Sequence, residues 1–110
     1  MPKSVEFKGN GEFAIHVPDL DKALQFYQGV LGLKLESRSD DMLAFNAGKF
    51  MLYVNRDERI QPYIPSFDVA DVEQARTQLL AAGSKITRDG PGGFYFTDPF
   101  GLTLDVIGKK

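Results

Sequence analysis

The sequence predicts an α+β fold in which helices cover one face of a mostly antiparallel sheet. Strand-like segments outnumber helix-like segments, and this ratio excludes a doubly wound parallel sheet. The eight residues from Val69 match the eight residues from Val17, and the two segments start 52 residues apart (69 minus 17). An internal repeat of this kind indicates that one supersecondary unit occurs twice. The chain is therefore predicted to contain two βαβββ modules.

The first helix is predicted to follow the strand that ends at Val17. Asp19 can cap this helix, because its carboxylate can accept the unpaired amide hydrogens of the first turn. Apolar residues then recur at helical spacing, which gives the helix one apolar face. Gly32 stands where a helix C-terminus favours a residue that tolerates the left-handed conformation. The second helix follows the same plan over residues 71–82 and closes at Gly83.

Strands fill the rest of each module, since apolar and polar residues alternate between turns rich in Gly, Pro and Asp. The predicted strands span residues 12–17, 33–36, 42–46, 49–54, 63–69, 85–87, 94–97 and 102–107. The predicted organisation is a lead-in at residues 1–11, a first module at 12–54, a connector at 55–62 and a second module at 63–108. A chain of 110 residues allows one domain overall.

Strand parity assigns the side chains of each strand to two faces, because successive side chains point to opposite sides of a sheet. Apolar faces carry Phe13, Ile15 and Val17 in the first strand and Leu102, Leu104 and Val106 in the last, and we expect them to lie under the helices. The opposite faces carry a mixed set, namely Glu12, His16, Asn46, Tyr53, Ser66, Tyr95, Thr103 and Asp105. Such a set is typical of a cleft that binds a small molecule. A plain solvent-facing sheet surface or a dimer contact is the alternative.

Composition narrows the classes of function. The formal net charge is −2 and Lys and Arg form no run, so neither a nucleic-acid surface nor an anionic-membrane surface is predicted. Cysteine is absent, which excludes disulfides, thiolate zinc sites and a cysteine nucleophile. No apolar stretch approaches the ~20 residues that span a bilayer, and no secretory signal is visible. A cytoplasmic protein is expected.

Several segments together resemble one known family. The segment from Phe13 to Leu20, followed by Ala-Leu-Gln-Phe-Tyr and Leu-Gly-Leu, resembles the first module of the vicinal oxygen chelate superfamily. The second half resembles it too, through the helix segment and the turn Asp98-Pro99-Phe100-Gly101. That superfamily includes glyoxalase I, extradiol dioxygenases, fosfomycin-resistance enzymes and bleomycin-binding resistance proteins. The resemblance implies paired βαβββ modules that form a curved mixed sheet with a cleft and outer helices. For a small member it also implies a homodimer.

The resemblance carries the metal-ligand positions of the superfamily over to Glu12, Tyr53, Ile64 and Asp105. Their spacing agrees between the modules, since 53 minus 12 and 105 minus 64 both equal 41. Metal enzymes of the superfamily typically use His or Gln together with Glu, and neither His nor Gln stands at these positions. His16 shares a strand face with Glu12 but lies about 13 Å along it at ~3.3 Å per residue. We therefore expect no tight transition metal. Glu12, Asp105 and Tyr53 could at most hold Mg²⁺ or Mn²⁺.

Three functions remain open on this basis. The favoured one is a bleomycin-resistance-like protein that binds a small aromatic or cationic molecule. Its ligand-binding residues would be His16, Asn46, Tyr53, Tyr95, Thr103 and Asp105. The alternative is a metal-dependent lyase, isomerase or dioxygenase that uses Glu12 and Asp105. The third is a metal-free enzyme in which Glu12, the catalytic candidate, or His16 acts as a base.

Overall fold

The computed structural model of the protein describes residues 5–108, and these residues have the predicted α+β fold. They divide into two compact units. The first unit runs from Gly11 to Ile64, and the second unit combines residues 65–108 with residues 5–10. The same order of strand, helix and three strands occurs twice, which confirms the prediction of two βαβββ modules.

The first module contains four strands and one helix. They are β1 (Lys8–Val17), α1 (Leu20–Leu24) with a π-helical continuation (Gln25–Val30), β2 (Lys34–Arg38), β3 (Met42–Asn46) and β4 (Met51–Arg56). The strand order is β2-β3-β4-β1. β1 runs parallel to β4, whereas β2, β3 and β4 pair antiparallel.

The second module repeats this arrangement. It contains β5 (Gln61–Val69), α2 (Val72–Ala81), β6 (Ile86–Gly90), β7 (Gly93–Thr97) and β8 (Thr103–Gly108). The strand order is β5-β8-β7-β6, with β5 parallel to β8 and the other pairs antiparallel. In both modules the strand before the helix therefore pairs with the last strand of the module.

The helix ends follow the predicted capping. Asp19 Oδ1 accepts a hydrogen bond from the Lys22 amide at 3.0 Å, and Asp71 Oδ1 accepts one from the Gln74 amide at 3.0 Å. Each bond satisfies an amide that the first helical turn leaves without a backbone acceptor. Gly32 has φ 74°, which confirms the left-handed position predicted after the first helix.

Each module has a hydrophobic core between its helix and one sheet face. In the first module the core consists of Ile15, Leu20, Ala23, Leu43, Phe45, Leu52 and Val54. In the second it consists of Val69, Ala75, Phe94, Phe96 and Val106. These sets confirm the predicted inward faces of the strands. Leu102 departs from the prediction, because it lies in the turn before β8 and is 60% exposed.

Several element boundaries differ from the sequence prediction. β1 begins at Lys8 rather than at Glu12, so residues 8–11 belong to a strand and not to a loose lead-in. Its polar residues and glycines have weak strand propensity, and pairing within the sheet overrides that weakness. β4 ends at Arg56 and β5 begins at Gln61, which shortens the predicted connector to four residues. The π-helical continuation was not predicted, because apolar spacing does not separate a π-helix from the end of an α-helix.

The segment before β1 packs in the second unit. The ring of Phe7 lies edge-on to Phe67 and Phe96, at centroid distances of 6.4 and 6.2 Å. The Val5 amide donates a hydrogen bond to Gln78 Oε1 at 3.0 Å. Among the helices that the structure describes, none has both the length and the apolar character needed to cross a membrane.

Candidate functional site

A row of polar side chains crosses the sheet of the second module. Asp105 lies on β8, the strand between β5 and β7, and it pairs in register with Ser66 on one side and Tyr95 on the other. Arg88 on β6 pairs in register with Tyr95. Residues directly opposite each other on neighbouring strands share a face. The row therefore lies on the face opposite Val106 and the hydrophobic core.

Asp105 is held by a network of hydrogen bonds. Ser66 Oγ donates to Asp105 Oδ2 at 3.0 Å, and Asn10 Nδ2 donates to Ser66 Oγ at 2.9 Å. Asn10 Nδ2 also donates to Asp68 Oδ1 at 3.1 Å. We call Asn10, Ser66, Asp68 and Asp105 the Asp105 network. This network fixes the orientation of the Asp105 carboxylate on the sheet face. Ser66, which donates to that carboxylate, is only 6% exposed.

The electrostatics of this face favour a protonated Asp105 more than an ordinary surface position would. Burial raises the pKa of the Asp105 carboxyl, because desolvation penalises its charged form. Hydrogen bonds from Ser66 and from the Val106 backbone oppose this rise but have a smaller effect. A positively charged group placed beside Asp105 would favour the ionised form and offset the penalty.

An aromatic ring lies next to this carboxylate position, and a cation lies on the far side of that ring's strand. The guanidinium carbon of Arg88 lies 5.7 Å from the centroid of the Tyr95 ring, which is within the range of a cation–π contact. Thr103 opens β8 and pairs in register with Thr97. Thr103 has the same strand parity as Asp105 and is partly buried, as is Tyr95. The structure thus brings three predicted site residues, Tyr95, Thr103 and Asp105, to one face.

The first module carries Glu12 and Tyr53 at the corresponding sheet positions. Tyr53 lies on β4 between Ala14 and Ala44, whose small side chains leave room for its ring. Burial, and to a lesser degree the negative charge of Glu12, raise the pKa of the Tyr53 hydroxyl. The phenol is therefore a neutral donor or acceptor at ordinary pH. Asn46 has a local role, since its Oδ1 accepts a hydrogen bond from the Gly48 amide at 2.8 Å in the β3–β4 turn.

His16 is enclosed and paired. Its side chain is 1% exposed, and its Nδ1 lies 3.1 Å from Asp57 Oδ2. Asp57 is fixed in turn, because its amide donates to the Val17 carbonyl at 2.9 Å and its Oδ1 accepts from the Arg59 amide at 3.0 Å. In this conformation His16 offers a ligand almost no surface, and its ligand contact stays a prediction. Sequence reasoning missed Asp57, since it lies in the connector and no periodic pattern includes it.

The residues at the four carried-over metal positions do not fit a transition metal. Ile64 is 1% exposed and has no donor atom, and the raised pKa of Tyr53 opposes the phenolate form that a metal would bind. Glu12 and Asp105 supply carboxylate oxygens, whereas Zn²⁺, Ni²⁺ and Fe²⁺ sites usually include imidazole or thiolate ligands. Within residues 5–108, no group of three or more His, Cys, Asp or Glu side chains is arranged to hold an ion.

Comparison with known proteins identifies the family. Residues 10–106 match the family model described as the Glyoxalase/Bleomycin resistance protein/Dioxygenase superfamily. The chain therefore belongs to that superfamily, which confirms the resemblance seen in the sequence.

Individual relatives are longer than this chain. It is 31% identical over 104 residues to metapyrocatechase 2 of Cupriavidus necator, an alignment that covers 79% of this chain and 32% of the relative. Its fold is similar to a substrate complex of homoprotocatechuate 2,3-dioxygenase from Brevibacterium fuscum, with a TM-score of 0.72, 18% identity, and coverage of 97% of this chain and 38% of the other. It is also similar to a Mn(II)-bound glyoxalase from Novosphingobium aromaticivorans, with a TM-score of 0.70 and 22% identity. The match covers 94% of this chain and 40% of the glyoxalase. The chain thus spans about a third of the length of the curated relative.

Proposed function

We propose that this protein binds a small organic cation with an aromatic body on the sheet face that carries Asp105, without a tight transition metal. The observation that carries the proposal is the position of Asp105. Its carboxylate is partly buried, oriented by Ser66 and next to Tyr95 in register. A sheet face that only met solvent would not need a fixed, desolvated carboxylate.

The chemistry of this face determines the preferred ligand. An ionised carboxylate forms charge-assisted hydrogen bonds with an ammonium or amidinium group. The Tyr95 ring offers contact area to an aromatic body. Because burial raises the pKa of Asp105, cation binding would be coupled to loss of the carboxyl proton. We expect affinity for a cation to increase as the pH rises through the Asp105 pKa.

Calorimetry with matched probes tests this proposal. The probes are benzylammonium and benzamidinium, with benzyl alcohol as the neutral counterpart. We expect both cations to bind and Asp105→Asn to weaken them about tenfold or more, since a hydrogen bond to a charged group is lost. Asp40→Asn removes the same charge from an exposed turn and serves as the control. Equal affinity of wild type and Asp105→Asn, or equal binding of the alcohol, would contradict the proposal.

The alternative function is a metal-dependent lyase, isomerase or dioxygenase that uses Glu12 and Asp105. It is supported by the relatives, which include a metapyrocatechase and a Mn(II)-bound glyoxalase. Calorimetry with Mn²⁺, Mg²⁺, Zn²⁺ and Ni²⁺ separates the two functions. Micromolar binding that is absent in Asp105→Asn would favour the metal enzyme over the cation-binding protein.

Two further expectations belong to this proposal. The protein is proposed to be a homodimer, because the family resemblance implies this state for a small member. A cytoplasmic location stays a prediction that cell fractionation would test.

A further inference from the structure

A cavity lies on the helix side of the first unit. It has a volume of about 290 Å³ and is formed by the end of β1, α1, the π-helical segment and the connector. None of its lining residues belongs to the candidate site around Asp105 or to the carried-over metal positions. The volume is at the lower end of the range for ligand pockets, so its occupant would be small.

The wall of this cavity is apolar and unusually exposed. Phe26 and Ile60 both line it, and they are 48% and 74% exposed. Large apolar side chains left in water beside a cavity are typical of a binding surface. A ligand with an apolar body would cover both of them.

The aromatic part of the wall is held by contacts between rings. Phe26 and Tyr27 lie in the π-helical segment, with ring centroids 5.2 Å apart and planes at 86°. The other side of Tyr27 meets the buried Phe45 at 5.9 Å, and its hydroxyl hydrogen-bonds to Tyr63. Single-turn π-helical segments frequently occur at functional sites. Here the segment packs the partly buried ring of Tyr27 against the core and leaves Phe26 more exposed, and both residues line the cavity.

One acidic and one basic side chain complete the rim. Asp19 and Lys22 both line the cavity. Asp19 Oδ1 caps the helix by accepting from the Lys22 amide, and Oδ2 is left to accept from another donor. Lys22 forms no ion pair within the described part of the chain. The nearby guanidinium groups differ from Lys22 in being paired. Arg38 pairs with Asp21 and Arg56 pairs with Asp41, each at 2.9 Å.

We propose that this cavity binds a zwitterionic α-amino acid with an apolar side chain. The ligand's ammonium group would pair with Asp19, its carboxylate would pair with Lys22, and its side chain would cover Phe26 and Ile60. Both charged groups are exposed, so each contributes a modest interaction. The expected affinity is therefore weak, in the millimolar range.

Nuclear magnetic resonance with three probes tests the proposal. The probes are L-phenylalanine, phenethylamine, which lacks the carboxylate, and 3-phenylpropionate, which lacks the amine. We expect L-phenylalanine to shift the amide signals of Ala23, Phe26 and Ile60, and to bind about fivefold more tightly than either analogue. Equal binding of an analogue, or shifts confined to other residues, would overturn it.

Two conservative variants locate the charges. Asp19→Asn keeps a good helix cap while it removes the carboxylate charge. Lys22→Gln keeps a good helix former while it removes the ammonium. Each should weaken L-phenylalanine about fivefold. Lys49→Gln, an exposed lysine in the β3–β4 turn, is the matched control and should leave the affinity unchanged. Equal affinity of Lys22→Gln and Lys49→Gln for L-phenylalanine would also overturn this proposal. That outcome is independent of the calorimetry on Asp105→Asn.

Discussion

At the residue scale, the ligand-binding role proposed for Asp105 is accompanied by a cost in stability. Burial raises the pKa of its carboxyl in the folded chain above the value of an exposed aspartate. The folded state therefore binds this proton more tightly than the unfolded state does. The stabilising contribution of Asp105 is present below the unfolded pKa, near pH 3.9, and is lost as the pH rises through the folded pKa. At pH values above the folded pKa, the protein therefore keeps a desolvated charge at Asp105.

This cost predicts that Asp105→Asn stabilises the protein at neutral pH. The asparagine oxygen can still accept the hydrogen bond from Ser66, and the desolvated charge is gone. Urea unfolding at pH 7 should give a higher midpoint for Asp105→Asn than for wild type. The difference should become smaller as the pH falls toward the Asp105 pKa. Asp40→Asn should show no such convergence, and a lower midpoint for Asp105→Asn at pH 7 would contradict the argument.

The pair of His16 and Asp57 gives a second prediction at this scale. Asp57→Ala removes the carboxylate that lies 3.1 Å from the Nδ1 of an imidazole that is 1% exposed. Loss of a partner to a buried polar group costs about 2 kcal/mol. The free energy of unfolding from urea denaturation should fall by this amount. Glu58→Ala, at the next and exposed position, should change it by less than about 0.5 kcal/mol. Equal effects of the two variants would show that the pair does not stabilise the fold.

Part of the candidate site could be predicted from the sequence and part could not. Strand parity is a local property, so it placed Tyr95 and Asp105 on one face correctly. Pairing between distant segments is not local. The partners of His16 and Ser66 are Asp57 and Asn10. They lie in the predicted connector and the predicted lead-in. Neither segment has a hydrophobic period that would fix its position.

At the scale of single elements, the helix caps and the core faces were predictable because each depends on a few neighbouring residues. Asp19 and Asp71 occupy repeated positions before the two helices, and both form the expected cap. Strand ends were less predictable, because they depend on pairing with another strand. β1 extends to Lys8 through residues that have little strand propensity.

Gly93 gives a prediction for the pairing of β7 and β8. A Cβ at this position would overlap the Val106 carbonyl oxygen and lie 3.1 Å from the Val106 carbonyl carbon. Both atoms belong to the backbone of the neighbouring strand, so they cannot move without disturbing the ladder. Gly93→Ala should therefore lower the free energy of unfolding by about 3 kcal/mol, the upper part of the range for overpacking.

The adjacent glycine supplies the control for this prediction. A Cβ at Gly92 would meet no atom within 4 Å, and its φ is not positive. Gly92→Ala should change the unfolding midpoint in urea only slightly. Similar losses in Gly92→Ala and Gly93→Ala would mean that the close approach of β7 to β8 is not the cause.

At the scale of the whole molecule, the internal repeat predicted the two-module organisation but not the course of the chain through it. The repeat implies two similar units because each copy buries its own helix face. It says nothing about the residues before the first copy. Phe7 packs with Phe67 and Phe96, so residues 5–10 belong to the same unit as the second module's helix and last three strands. Such contacts depend on tertiary packing and carry no local signal.

The last prediction is that the protein is a homodimer. Phe100 is 87% exposed, and the turn that carries it is fixed, because Asp98 Oδ1 accepts from the amides of Phe100 and Leu102 at 2.8 and 2.9 Å. Leu102 in the same turn is 60% exposed, so two large apolar side chains are exposed together, and an exposed apolar patch is typical of a contact with another protein surface.

Light scattering over a wide concentration range should give twice the mass of the chain. Phe100→Ser should shift the equilibrium toward the monomer, since it removes an aromatic contact and keeps the turn. Val30→Ser removes an exposed apolar side chain from the other unit and should leave the mass unchanged. A monomer at every concentration would refute the dimer. A dimer that Phe100→Ser and Val30→Ser affect equally would exclude Phe100 from its interface.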